Sequence, residues 1–128
     1  MGMAEDGHVP GNQLILEAVG AELDYLRQLG ANENLAFACS NLSAYEALLV
    51  IIQNAERGIP VYQAVANVRT PFSGPAGVIN RLKGLRSLGL LEEKVGAKKS
   101  QVCLVPSEQL LRDIYPVLSA RHHGGWQK

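Results

Sequence analysis

Apolar residues recur at helical spacing in the first third of the chain. Between residues 13 and 29 they fall three or four positions apart, which predicts an amphipathic helix. This apolar stripe consists of Leu16, Val19, Leu23 and Leu26. Gly30 is expected to end the helix. Residues 1–12 show no such period and are expected to form a disordered arm.

Two further helices are predicted in the middle of the chain. Ser43 and Glu46 have the spacing of a capping box, in which a serine and a glutamate satisfy the first amides of a helix. The apolar run 47–52 that follows is therefore expected to form the central buried helix. Gly58 is expected to end it. Pro60 then suits the first turn of a short helix over about 60–68.

The next segment predicts a turn followed by a longer helix. A residue before proline avoids the helical region, so residues 69–72 are expected to form the turn. Ser73 is expected to cap a helix over about 73–88. Its inward face would carry Val78, Leu82 and Leu85, which recur at helical spacing.

Beyond Gly89 the period changes from helical to extended. Two short β-compatible runs within about 90–105, joined by five residues that include a glycine, predict a β-hairpin. A last helix is expected from Ser107 to about residue 120, and residues 121–128 are expected to form a flexible tail.

The composition is that of one mainly α-helical domain over residues 13–120. Only 5% of the residues are aromatic against 47% hydrophobic, so the core must be built from aliphatic side chains. This favours helices packed on helices over an aromatic-rich β-sandwich. Cys39 and Cys103 lack metal-ligand spacing and are expected to fill the core.

Charge is unevenly distributed along a chain whose formal net charge is zero. Residues 1–57 carry eight acidic residues and two arginines, whereas residues 69–99 carry seven basic residues and two glutamates. A compact basic segment suggests a localised anionic partner. Alternatively, the acidic and basic segments neutralise each other within one fold or across a dimer.

The order helix, turn, helix, hairpin resembles the DNA-binding core of MarR-type winged helix-turn-helix regulators. The resemblance covers residues 42–111 and is carried by 42–50 (LSAYEALLV), 78–82 (VINRL), 85–91 (LRSLGLL) and 102–108 (VCLVPSE). The turn over 69–74 is about two residues longer than the family pattern. The hairpin tip has Lys98 and Lys99 in place of the family's Asp-x-Arg pair.

The resemblance implies a mainly α fold with a small β-hairpin wing, and a protein that binds double-stranded DNA as a homodimer. Its recognition helix, about 73–88, would enter the major groove, and its wing, about 90–105, would lie on the DNA backbone. A small-molecule effector is also implied, although no residue points to one. A winged-helix module that docks other proteins without binding DNA is the alternative.

The outward face of the recognition helix supplies the candidate base contacts. Asn80 can form a bidentate contact with adenine, and Lys83 suits guanine or phosphate. The surrounding bases suit phosphate contacts. The residues expected to contact DNA are Arg69, Thr70, Ser73, Ala76, Gly77, Asn80, Arg81, Lys83, Arg86, Lys94, Lys98 and Lys99. Gly77 and Gly84 indicate close approach, either to the DNA backbone or to another protein.

The two flanking helices carry more apolar surface than the winged core needs, which predicts a homodimer. The expected interface residues are Leu16, Val19, Leu23, Leu26, Leu110, Leu111, Ile114 and Leu118. The alternative is that both helices fold back over their own core.

Neither catalysis nor a metal or cofactor site is expected. The histidines, His8, His122 and His123, all lie near the chain ends. Ser43 and Ser73 are better explained as helix caps than as nucleophiles. The longest apolar run is too short to span a membrane, and the first residues lack the apolar region of a signal peptide. The sequence therefore predicts a cytoplasmic DNA-binding regulator without a membrane partner.

Overall fold

The computed structural model describes residues 11–96 and 101–124. Within these ranges the chain forms six α-helices, three short strands and one π-helical turn. These elements are α1 (Asn12–Ala31), α2 (Glu33–Cys39), α3 (Leu42–Gln53), β1 (Ile59–Pro60), α4 (Val61–Ala66), α5 (Pro75–Ser87), β2 (Leu91–Val95), β3 (Val102–Pro106), α6 (Glu108–Ser119) and the π-helical turn Ala120–Gly124. The fold is thus mostly helical with a small sheet.

The three strands form one antiparallel sheet in the order β1-β3-β2. The predicted hairpin is confirmed, with β2 paired to β3 from Leu91 opposite Pro106 to Val95 opposite Val102. The short helix predicted over about 60–68 is α4, Val61–Ala66, whereas Pro60, expected in its first turn, lies in strand β1 and is the N-cap of α4. This proline pairs opposite Cys103 on an edge of the sheet, where a residue without an N–H is tolerated.

The core is aliphatic, as the composition predicts, and α3 lies at its centre. Leu48 and Ile51 of α3 are fully buried. They belong to the same cluster as the inward residues of α5, the first strand residue of β2 and the apolar face of α6. The prediction of a central buried helix is therefore confirmed.

Several helix boundaries differ from the predictions. Gly30 lies inside α1, which continues to Ala31. Asn32 caps α2 by accepting two backbone N–H bonds of 2.9 and 3.0 Å. The N-cap of α3 is Asn41, whose side chain accepts the N–H of Ala44, rather than Ser43. The N-cap of α5 is Gly74 rather than Ser73.

Residues 121–124, expected to belong to a flexible tail, form part of the π-helical turn Ala120–Gly124 that follows α6. Arg121 lies 4.1 Å above the ring of Tyr25 and 3.4 Å from the carboxylate of Glu22. The Tyr25 hydroxyl lies 3.3 Å from that of Tyr45. Burial and this hydrogen bond raise the pKa of Tyr45, so its phenol is neutral. The contacts of Arg121 join the turn after α6 to α1, and the pair of tyrosines joins α1 to α3.

The two flanking helices differ sharply in burial. Leu110 and Ile114 are buried in the core of the same chain, so their prediction as dimer-interface residues is wrong. Leu118 packs partly against that core, and Leu111 is exposed. The apolar stripe of α1, in contrast, is exposed along its whole length. Helix α6 thus folds back over its own core, whereas the stripe of α1 does not.

No single helix in the described part of the chain is long and apolar enough to cross a membrane. Helices α2 and α3 meet the length and composition requirements only when taken together, and they are bent by 110° at the break between them.

Candidate nucleic-acid interface

The segment that joins α4 to α5 is held by two side chains of α3. The Ser43 hydroxyl is fully buried and accepts the backbone N–H groups of Phe72 and Ser73 at 3.0 and 3.1 Å. It also donates to the carbonyl oxygen of Thr70 at 3.0 Å. A serine predicted to cap its own helix therefore fixes the backbone in front of the next long helix.

Glu46 completes this arrangement one turn further along α3. Its carboxylate accepts the backbone N–H of Arg69 at 2.9 Å and the backbone N–H of Thr70 at 2.9 Å. It also accepts the Thr70 hydroxyl at 2.8 Å. The amides of Thr70 and Arg69 lower the pKa of Glu46 from its ordinary value, so the group is charged at neutral pH. We call Ser43 and Glu46 the turn clamp.

Helix α5 presents its apolar face to the core as predicted, with Val78, Leu82 and Leu85 buried. Gly84, expected on the outward face, is instead covered by the ring of Phe37 in α2. A Cβ at Gly84 would lie 2.6 Å from that ring. This glycine is therefore explained by packing within the chain, not by approach to DNA. At Gly77 a Cβ would meet the Ser73 hydroxyl.

One face of α5 remains open to solvent. Ala76, Asn80, Lys83 and Ser87 are exposed and follow one another at intervals of four, three and four residues. Such spacing places them on one side of the helix. Within the described residues, the side chains of Asn80 and Lys83 form no hydrogen bond or ion pair. We call these four residues the α5 face.

Several of the predicted phosphate contacts are engaged within the chain. Arg81 lies 4.6 Å above the Phe37 ring. Arg86 forms an ion pair with Glu93 of β2. Lys94 donates to the backbone carbonyl of Glu56 at 2.7 Å. Near the α5 face, Lys83 and Arg69 are exposed, and neither forms an ion pair within the described residues.

The other predicted DNA contacts have different environments. Thr70 is half-buried and held by the turn clamp, and Ser73 is half-buried with its N–H bound to Ser43. Arg69 is exposed, and its guanidinium donates to the Ala66 carbonyl at 3.3 Å. Lys98 and Lys99 lie outside the described residues.

Phe72 was not predicted to have a role, yet it is the most conspicuous apolar side chain beside the α5 face. It is 63% exposed although its backbone N–H is fixed by Ser43. Pro71 and Pro75 on either side are also exposed. The sequence signal for an exposed Phe72 was its position between two prolines. Neither a proline nor the residue before it favours the interior of a helix, so Phe72 is kept in the segment outside α5.

The described residues contain no group of three or more histidine, cysteine, aspartate or glutamate side chains that could hold a metal ion. Burial raises the pKa of the Cys39 thiol to about 11. This cysteine is therefore a protonated thiol at neutral pH and a poor nucleophile or metal ligand.

Replacing Ser43 with alanine is expected to destabilise the protein by about 1–3 kcal/mol, because the backbone N–H groups of Phe72 and Ser73 and the carbonyl of Thr70 lose their hydrogen-bond partner. Urea unfolding measures this free energy. Ser40→Ala is the matched control: its hydroxyl is exposed and donates to the carbonyl of its own helix, so a change within about 0.5 kcal/mol is expected. Equal losses in the two variants would contradict the turn clamp.

The contribution of Glu46 should depend on pH. Because its pKa is lowered in the folded state, its stabilisation is present above the unfolded pKa and is lost as the pH falls through the folded pKa. Near neutral pH, Glu46→Gln is expected to cost about 1 kcal/mol. The difference in unfolding free energy between the two proteins should shrink as the pH falls below the ordinary pKa of a glutamate and through the lowered pKa of Glu46 in the folded state. A difference that stays constant with pH would show that the charge of Glu46 does not hold the turn.

Comparisons with models of protein families, with curated proteins and with solved structures find no match for this chain. Its function must therefore be inferred from the α5 face, the turn clamp and the charges around them.

Proposed function

We propose that this protein is a winged helix-turn-helix domain that inserts α5 into the major groove of double-stranded DNA and acts as a sequence-specific regulator. The order of elements supports this proposal. Helices α4 and α5, with the clamped turn between them, correspond in order to the two helices of the motif. The β2–β3 hairpin follows α5, as the wing follows the second helix. The role is one of binding rather than catalysis.

The observation that carries the proposal is the α5 face. It combines an exposed amide, Asn80, and an exposed ammonium, Lys83, with the small residues Ala76 and Ser87. Asparagine pairs with adenine and lysine with guanine in the major groove, which is wide enough for a helix. The small neighbours let the helix backbone come close to the base edges. Since the turn clamp fixes the start of α5, these groups are presented in one orientation.

Phosphate contacts would position α5 on the DNA. Arg69 lies in the turn directly before α5. The backbone N–H groups of Ala76 and Gly77, at the start of α5, donate to no side-chain cap and can donate to a phosphate. We add Lys98 and Lys99 as backbone contacts because they connect the paired strand ends Val95 and Val102, where a wing meets DNA.

A homodimer is the second part of the proposal. Two copies related by a twofold axis can place their recognition helices about one turn of DNA apart, at about 34–36 Å. Each half-site then needs only a few contacts, which suits the small number of exposed bases near one α5 face.

A protein-docking module is the competing function, and one observation favours it. Phe72, Pro71 and Pro75 are all exposed at or just before the start of α5, whereas Arg81, Arg86 and Lys94 contact other groups of the chain. Exposed apolar side chains of this kind suit an apolar partner. Salt dependence separates the two functions, because phosphate contacts weaken steeply as salt is added.

Asn80→Ala is expected to cost about 1–3 kcal/mol of binding free energy on a duplex selected from a random pool, and much less on a scrambled duplex.

Lys83→Ala should weaken binding to DNA and make the salt dependence of that binding between about 50 and about 200 mM shallower. Fluorescence anisotropy of labelled duplexes measures both effects. Gln13→Ala, which removes an exposed amide from α1, is the control and should bind as the wild type does. Failure to bind any duplex at low salt would refute DNA binding and favour protein docking.

A further inference from the structure

Helix α1 has very little contact with the rest of the chain for its length. It spans 20 residues, yet only Tyr25 and Leu29 are buried. Six large apolar side chains of the same helix are between 40% and 66% exposed, and four of them follow one another at intervals of three, four and three residues. These four residues, which we call the seam, are Leu16, Val19, Leu23 and Leu26.

The seam has the geometry of a coiled-coil contact. Its residues are separated by three, four and three positions, the spacing of alternating a and d positions in a heptad. At about 100° per residue, Tyr25 and Leu29 lie on a different side of α1 from the seam. The core therefore uses one side of the helix and leaves the seam uncovered.

We infer that the seam of one copy pairs with the seam of a second copy in a parallel, in-register coiled coil. This inference specifies the homodimer of the proposed function and rests on that part of it, not on DNA contact. Two heptads are short for a coiled coil, so we expect association in the micromolar range.

Charges beside the seam favour the parallel arrangement. With Leu16 and Leu23 at a, Glu22 occupies g and Arg27 occupies e. In a parallel pair a g residue meets the e residue five positions later in the other helix. Glu22 would therefore face Arg27 of the second copy, and this contact would form twice.

An antiparallel pair would lose both contacts. There g residues meet g residues and e residues meet e residues. Glu22 would then face Ile15 or another Glu22, and Arg27 would face Gly20 or another Arg27. Neither arrangement brings opposite charges together.

The rest of the chain contacts α1 on the g side of the seam and leaves the e side exposed. On the g side, Glu22 lies 3.4 Å from Arg121, which belongs to the turn after α6. On the e side, Gly20 and Arg27 are exposed. In a parallel pair the g side of each helix would lie beside the exposed e side of the other helix, and all four seam residues are exposed for the contact.

The seam can be tested by sedimentation equilibrium of the full chain without DNA. Leu16→Glu is expected to weaken dimerisation by about 100-fold or more, since each dimer loses two buried leucines. Leu14→Glu is the matched control: Leu14 is 61% exposed, against 66% for Leu16, but it lies off the seam and should leave the dimer intact. Circular dichroism checks that both variants remain helical. A wild type that is monomeric at high micromolar concentration, or equal losses in both variants, would overturn the inference.

The orientation can be tested by exchanging charges. Glu22→Arg and Arg27→Glu should each weaken the homodimer, because like charges then meet in both contacts. An equal mixture of the two variants should associate better than either alone, since both contacts regain opposite charges in the mixed dimer. Arg121→Ala removes the internal partner of Glu22 and should leave the dimer intact. A mixture no stronger than the separate variants would overturn the parallel register. DNA binding by a monomeric wild type would leave the α5 proposal standing.

Discussion

Two side chains one turn apart on α3 satisfy four backbone N–H groups of the segment between α4 and α5. Without Ser43 and Glu46 these N–H groups would have no partner within the chain, because the segment lies in neither a helix nor a strand. The bonds to Glu46 involve a charged acceptor and are therefore stronger than bonds between neutral groups. The position of α5, and with it the direction of the α5 face, follows from this contact.

The local pattern of apolar residues, caps and turn residues was sufficient to predict the buried helix α3, the inner side of α5 and the hairpin. It failed where a residue's partner lies far away in sequence. Ser43 and Glu46 have the spacing of a capping box, but that spacing also places both side chains on one side of α3. The local pattern cannot tell which backbone they meet. Asn41 was available as the cap, which freed Ser43 for the turn.

The same limit explains the other differences. The ring of Phe37, 47 positions earlier in the chain, leaves no room for a Cβ at Gly84. Strand β1 has only two residues and therefore shows no alternating pattern of its own. The candidate site was predictable in part: Asn80 and Lys83 are exposed on α5 as expected, whereas Arg81, Arg86 and Lys94 have partners that no local pattern reveals. Burial of α6 and exposure of the α1 seam could likewise not be separated, because both helices are amphipathic.

The proposed functions use opposite kinds of surface on separate elements: polar groups on α5 for DNA and aliphatic groups on α1 for a second copy. An NMR titration of isotopically labelled protein with duplex DNA at low salt tests whether α5 is the contact surface. The amides of residues 72–83 should shift, and the shifts should reverse when salt is added, while the amides of α1 keep their positions. Shifts confined to α1, or none at any position, would contradict DNA binding through α5.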